Sequence, residues 1–251
     1  MNLWSAALLG VVQGITEFLP VSSSGHLVLF QSLFHWNPPG IGLEITVHLA
    51  TALAVVIVLW RRVLDLFQFQ GPWTRWPLTL VVVATLPAAI VGLLFEHPLE
   101  AYFERPEVLP WFFLLTTLLL WSSNRRKGDR PVTLGTAFLI GLAQVLALFP
   151  GVSRSGTTIT AALLLGVAPG EAFAFSFLML LPAVAGAVVL KAAEGGIVLG
   201  LPEILAFGTA LITGILALWW LRGVVVARKL HLFGFYTLLV ALFCGWWFWL
   251  G

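Results

Sequence analysis

The sequence predicts an all-α integral membrane protein of about six transmembrane helices plus two re-entrant helix hairpins, arranged as an inverted-topology repeat. Three observations carry that expectation. Of 251 residues, 60% are hydrophobic and only 10% charged, and the mean hydropathy is +1.01; a soluble globular domain carries roughly 25% charged residues. Apolar segments recur along the chain to its C-terminal end, where a cleavable leader would account for one alone. Two of these apolar stretches are interrupted in the middle by motifs that match each other.

In chain order, the first stretch is 2–35, broken at Pro20-Val21-Ser22-Ser23-Ser24-Gly25. Three spans follow at about 43–60, 76–95 and 108–121, the last short enough to need a thin part of the bilayer. The second broken stretch is 133–166, interrupted at Pro150-Gly151-Val152-Ser153-Arg154-Ser155-Gly156, and spans at 170–190, 203–221 and 232–250 complete the chain. A spanning helix needs roughly 20 residues, so neither half of a broken stretch crosses alone and each reads as a hairpin. Irregular backbone at that depth survives only where protein buries it or where it lines a cavity. Tryptophans cluster near segment ends (Trp60, Trp73, Trp76, Trp121, Trp246, Trp247 and Trp249), as interfacial belts do. The single cysteine, Cys244, excludes an intramolecular disulfide and lies in an apolar run.

The two breaks are related. With an offset of 131, residues 10–25 align without a gap to 141–156, with seven identities in sixteen positions: Gly10, Gln13, Phe18, Val21, Ser22, Ser24 and Gly25 match Gly141, Gln144, Phe149, Val152, Ser153, Ser155 and Gly156. The chain therefore reads as a single membrane domain, 1–251, made of a first repeat (1–121) and a second (133–251). Loop charge gives their orientation. Arg61, Arg62 and Arg75, then Arg125, Arg126, Lys127 and Arg130, then Arg222, Arg228 and Lys229 mark three basic loops, whereas 96–107 and 191–203 are acidic on balance. The positive-inside rule puts the basic loops in the cytoplasm. Three spans separate the hairpins, so the second repeat is inverted, as in many secondary transporters whose sites lie where broken helices meet. The net charge of +2 reflects those loops and gives no case for nucleic acid.

Few charges lie inside the bilayer. Residues 1–60 carry only Glu17 and Glu44, and residues 131–170 only Arg154. An intramembrane charge costs a few kcal/mol at least, which makes it a functional candidate by default. Glu17 and Arg154 fall in the breaks of opposite repeats, which inversion brings together. A purely structural ion pair locking the hairpins is the competing reading. Around them stand Ser22, Ser23, Ser24, Gly25 and His26 on one side and Ser153, Ser155, Gly156, Thr157 and Thr158 on the other. Each cluster precedes an apolar helical run, with Ser24 and Ser155 near the expected N-caps. Two helix N-termini aimed into one space make an anion site, and an arginine fork matches phosphate oxygens in pairs. A pure anion site has no use for Glu17, so a divalent cation or a proton transfer is expected, with Gln13 one turn earlier on the same face as a partner. His26 adds a group that titrates near neutrality. Arginine, glutamate, histidine and serine are the parts for hydrolysing a phosphoanhydride. Glu44 and His48, four residues apart in the first span, either bind a proton or ion or tie the hairpins by hydrogen bonds. Glu171 reads as an N-terminal helix carboxylate. No G-x-S-x-G, Walker A, H-E-x-x-H or C-x-x-C motif occurs.

The segments Gln13-Gly-Ile-Thr-Glu17-Phe-Leu-Pro-Val-Ser-Ser-Ser-Gly-His26 and Pro150-Gly-Val-Ser-Arg-Ser-Gly-Thr-Thr158 resemble the two signatures of the bacterial undecaprenyl-pyrophosphate phosphatase, or bacitracin-resistance, family. The resemblance extends over the whole chain in length and span order. It implies hydrolysis of undecaprenyl diphosphate to the monophosphate lipid carrier of cell-wall synthesis and phosphate, with a divalent cation (Mg2+ or Ca2+). It also implies a bacterial inner membrane location, with the site opening to the periplasmic side. Carried over by position, the essential carboxylate is Glu17, the serine–histidine stretch supplies Ser23 and His26, and the arginine motif supplies Ser153, Arg154, Ser155 and Thr158. Many members have glutamate where this chain has Gln13, so Glu17 is expected to carry the metal or proton role with Gln13 beside it. The partners implied are the polyprenyl diphosphate and the bilayer, and a homodimer stays open. A flippase for the same lipid is the alternative that inverted repeats favour, and a non-catalytic membrane adaptor is a third reading.

Overall fold

The computed structural model describes residues 3–34, 41–124, 128–195 and 200–250. Among them all regular structure is helical, apart from one isolated bridge between Arg130 and Val167. The first broken stretch is α1 (Leu3–Thr16) and α2 (Ser23–Phe34). Then come α3 (Ile41–Val58), the short α4 (Trp60–Asp65), α5 (Pro77–Leu94), α6 (Glu96–Phe103) and α7 (Leu109–Ser122). The second broken stretch is α8 (Leu134–Gln144), a 3-10 turn at Val145–Leu148, and α9 (Arg154–Leu164). The chain ends in α10 (Pro169–Leu178), α11 (Leu180–Gly195), α12 (Leu201–Val226) and α13 (Phe233–Trp249). Prolines open α5, α7, α10 and α12 in their first turns, where a missing N–H costs nothing and φ is already helical.

Four helical segments are long and apolar enough to cross a membrane: Pro77–Leu94, Pro169–Val189, Leu201–Val226 and Leu230–Trp249. The expected spans at 43–60 and 108–121 correspond to shorter apolar helices. The expected fourth span is continuous in direction but interrupted at Met179, between α10 and α11. The fifth is longer than the apolar run suggested, because α12 carries its helix past Arg222 to Val226. Arg125, Arg126 and Lys127, and the loop centre at 196–199, lie outside the described residues, as does the side chain of Glu44.

The helices pack as reciprocal pairs. α1 lies along α12, α8 lies along α5, and α7 pairs with α13, while α3 fills the space beside α12. Two matched glycines permit the first two crossings. A Cβ on Gly10 would stand 2.3 Å from the Ala206 carbonyl oxygen, and one on Gly141 would stand 2.3 Å from that of Ala84. Bilayer helices associate through such small-residue contacts because lipid provides no hydrophobic drive between them. Threonine hydroxyls add to the α1–α12 seam, Thr209 donating to the Ala7 carbonyl at 3.1 Å. Phe18, from the first break, sits fully buried against Phe177 at 5.4 Å between ring centroids and reaches the Gly214 backbone. Apolar side chains such as Leu86, Leu93, Ile212, Leu239 and Leu242 point outward; a soluble monomer does not expose so much apolar surface, and a lipid-facing one must.

One end of the bundle is strapped by the basic loops. Arg62 on α4 pairs with Glu171, which stands in the first turn of α10 as expected. The backbone of Arg130 donates to the Gly166 carbonyl at 3.1 Å, and its own carbonyl accepts from Ala168 at 2.9 Å.

Candidate active site

The first break begins where α1 runs out. The Glu17 N–H still bonds the Gln13 carbonyl at 2.9 Å, then the chain turns through Pro20 to Ser22, whose φ is +68°. A left-handed non-glycine residue costs roughly 1–2 kcal/mol, and Ser22 offsets it with its hydroxyl. That oxygen accepts from the Gly25 N–H at 3.2 Å, capping α2, and from the Gly151 N–H of the other break, also at 3.2 Å. The second break turns at Gly151, with φ +97°, and Ser153 caps α9 by accepting from the Gly156 N–H at 3.1 Å. The caps are thus Ser22 and Ser153, two residues before the positions expected from sequence. Ser24 and Ser155 lie within the first helical turns, each facing its own cap hydroxyl at 3.4 and 3.3 Å. The shift follows from backbone geometry, since the cap must keep non-helical angles and only the turn residues do. The breaks touch directly: a Cβ on Gly25 would stand 2.6 Å from the Gly151 Cα, so glycine is required there.

Inside this double break, Arg154 Nη2 donates to Glu17 Oε1 at 2.8 Å, with the two side chains only 18% and 8% exposed. Glu17 Oε2 accepts from Ser23 Oγ at 3.2 Å and from Gln13 Nε2 at 3.1 Å. The second Gln13 N–H points to His48 Nδ1 at 3.3 Å, which itself lies 3.9 Å from Glu17 Oε2. The guanidinium of Arg154 stands 5.8 Å over the Phe177 ring, and its Nη1 donates to the Ser176 carbonyl at 3.3 Å. Glu17, Ser22, Ser23, Ser24, Ser153 and Arg154 line a cavity of about 130 Å³.

The matched breaks also decide the family. The profile of the family described as bacitracin resistance protein BacA matches residues 6–243, which include both of them. The chain belongs to this family. Among its similar BacA-family proteins is an undecaprenyl-diphosphatase of Methanococcus vannielii, 41% identical over 243 residues, covering 94% of this chain and 96% of the relative. Another, from Moorella thermoacetica, carries the same name and is 39% identical over 266 residues, covering 100% of this chain and 99% of the relative. A third, from Geotalea daltonii, is 37% identical and covers 96% of each chain.

For a BacA-family chain the expected site residues do not all meet at one point. Glu17, Ser23 and Arg154 meet at the cavity, with Gln13 behind Glu17. Gly25, Gly156 and Thr158 serve the backbone around it: Gly156 packs where a Cβ would stand 3.2 Å from Pro20 Cβ, and Thr158 Oγ1 donates to the Arg154 carbonyl at 2.9 Å and meets Ser176 Oγ at 2.6 Å. Thr157 is buried, with its hydroxyl unpartnered among the described residues. His26 stands apart from these. It does not line the cavity, and both its ring nitrogens are engaged, Nδ1 with the Ser22 carbonyl at 2.8 Å and Nε2 with the Tyr236 hydroxyl at 2.7 Å. Ser176 escaped the sequence reading, although a lone serine in the apolar run 172–181 was the signal. His48 was noticed, but its approach to Glu17 from another helix was not legible.

Proposed function

We propose that this chain hydrolyses undecaprenyl diphosphate to undecaprenyl phosphate and inorganic phosphate at the double break, recycling the lipid carrier and conferring bacitracin resistance. One observation carries the reading: Glu17, Ser23 and Arg154 share one small cavity bounded by two serine-capped helix N-termini. The N–H groups of α2 and α9 and the Arg154 fork bind the diphosphate oxygens and stabilise charge that grows as the anhydride breaks. Glu17, hydrogen-bonded to Ser23, accepts the proton of the attacking hydroxyl while the bond from the terminal phosphorus to the bridging oxygen breaks and undecaprenyl phosphate leaves. Attack by water gives inorganic phosphate directly, and attack by Ser23 gives a phosphoserine that a water then hydrolyses to inorganic phosphate. The names of the three relatives support the same substrate.

Among the described residues no group of three or more His, Cys, Asp or Glu could hold a metal. The donor set of Glu17 with Gln13 and Ser23 fits an ion that arrives with its substrate, since Mg2+ characteristically binds one or two carboxylates, substrate phosphates and water. Glu17 would hold the divalent cation, Mg2+ or Ca2+, and Gln13 would join it once its amide turned its oxygen in place of the NH2 that now faces Glu17 and His48. When bound, the cation neutralises part of the diphosphate charge.

The membrane arrangement we propose is six spans plus two re-entrant hairpins in inverted repeats. The reciprocal crossings of Gly10 on α12 and Gly141 on α5 support it. Phe149, in the second break, packs on Tyr102 at 5.1 Å and Phe112 at 5.0 Å. These neighbours belong to the acidic, outward-facing loop and the start of α7, which supports a site opening to the periplasmic side of the inner membrane. Single-cysteine labelling in a Cys244→Ser background should place 61–75, 122–132 and 222–231 in the cytoplasm and 96–107 outside. Loops 96–107 and 122–132 labelled from the same side would sink the inverted arrangement.

The decisive assay for the activity is phosphate release from C55 and C15 diphosphates by purified protein in detergent, where no second compartment exists. Turnover lost to chelator and restored by Mg2+ or Ca2+ is the expected result. Lipid binding without phosphate release would favour the flippase, the reading that inverted repeats support on architecture alone.

A further inference from the structure

Each break is fastened from outside by a helix of the opposite repeat. On α7, the Thr116 hydroxyl is buried at 1% exposure and spans the second break, donating to the Gly151 carbonyl at 2.8 Å and accepting from the Ser153 N–H at 3.1 Å. With Ser22 holding the Gly151 N–H, both polar groups of the left-handed glycine are fixed, and the Ser153 cap is fixed with them. On α13, the Tyr236 hydroxyl does the corresponding work one step removed. A backbone carbonyl only accepts, so His26 Nδ1 carries the hydrogen toward Ser22 and the neutral ring leaves Nε2 to accept from Tyr236 O–H. The Tyr236 ring stacks on His26 at 5.7 Å and 7° between planes, and Phe113 of α7 closes the other side edge-on at 5.4 Å. α7 and α13 are themselves joined, through Thr117 and Thr237 hydroxyls 2.8 Å apart and a Gly234 backbone that lies under Trp121.

We propose that Thr116, and Tyr236 acting through His26, are positioning residues that set the two helix N-termini of the site, with His26 a strut between Tyr236 and Ser22. This rests on the hydrolase reading above. Ser22 and Gly151 both hold left-handed angles, and the starts of α2 and α9, through Ser23, Ser24, Ser153 and Arg154, line the cavity, a placement that lasts only while those turns persist. Neither Thr116 nor Tyr236 needs to touch the diphosphate to control how it is held. A strut needs no proton transfer, so a side chain that keeps the donor to Ser22 but cannot shuttle protons should lose only the contact to Tyr236, and fall no further than removal of the Tyr236 hydroxyl itself.

The test compares Thr116→Val, Thr116→Ser, Tyr236→Phe and His26→Asn with the unaltered protein, reading kcat, KM and melting temperature on a C15 diphosphate. Asparagine places an N–H donor near the Nδ1 position but cannot reach Tyr236. Thr116→Val is expected to lower kcat about tenfold with KM moving less than about threefold, one well-placed hydrogen bond being worth about a factor of ten. Thr116→Ser, which keeps the hydroxyl, should recover kcat to within about threefold of the unaltered protein. Tyr236→Phe retains the ring stack and so the fold; it should fall about tenfold, and His26→Asn should match it. A His26→Asn protein as inactive as Glu17→Gln would instead make His26 a proton carrier and overturn the strut. Thr116→Val and Tyr236→Phe proteins with lowered melting temperature and unchanged kcat would overturn positioning. Failure of the unaltered protein to release phosphate would overturn the hydrolase reading first, and is distinct from losses confined to the variants.

Discussion

Glu17→Gln is expected to abolish phosphate release from a folded protein, the largest single effect in the chain. Both carboxylate oxygens are committed, Oε1 to Arg154 at 2.8 Å and Oε2 to Ser23 and Gln13 at 3.2 and 3.1 Å. All three partners donate. An amide of the same shape offers one acceptor and one donor, so it must turn its NH2 toward Arg154 or toward Gln13 and Ser23. On the proposed mechanism it also loses the charge that would hold a cation and the basicity that would take a proton from the attacking hydroxyl. Removing one partner of a buried ion pair costs about 3–5 kcal/mol, so a melting curve must accompany the assay. Gln13→Ala, on the same helix face, is the control and should cost less. An active, normally folded Glu17→Gln protein would reduce Glu17 to neutralising Arg154. In that case the double replacement with Arg154 should recover stability.

Arg154→Lys should retain the fold and lose about 10²–10³ in rate, the loss typical of one transition-state charge contact, about 3–4 kcal/mol. The guanidinium does several jobs at once: Nη2 reaches Glu17, Nη1 reaches the Ser176 carbonyl at 3.3 Å, and the plane rests over Phe177. Lysine presents one compact charge on a flexible stem and cannot serve those directions together with a phosphate edge. Turnover near that of the unaltered protein would return the pair to a structural role, locking the hairpins and no more.

The helical membrane class, the two breaks and the meeting of Glu17 with Arg154 were legible because they rest on local pattern. Apolar length, serine–glycine interruptions and the 131-residue offset between matched motifs are all properties of short windows. The helix caps were misplaced by two residues because each break offers more than one serine of equal chemistry, and only the backbone angles, +68° in φ at Ser22 and an extended φ/ψ at Ser153, single out the cap. The interruption at Met179 was invisible in an unbroken apolar run. His48, Ser176, Thr116 and Tyr236 reach the breaks from α3, α10, α7 and α13, across 22 to 210 residues of chain. Such contacts depend on helix rotation within the bundle, which an all-round apolar helix does not encode in its periodicity.

The contact of Gly25 on Gly151, clipped by one serine oxygen that serves both strands, bears on traffic through the bilayer. A carrier works by parting its two halves around a bound cargo and closing them on the far side. In the inverted-repeat arrangement proposed above, the parting line would run through a backbone crossing with no spare ångström and a shared hydrogen bond at its centre. Passing a lipid head from leaflet to leaflet would mean unclasping and reforming that crossing once per molecule. Cleaving the anhydride needs no such cycle, since the head can enter, lose its terminal phosphate and withdraw by the same door.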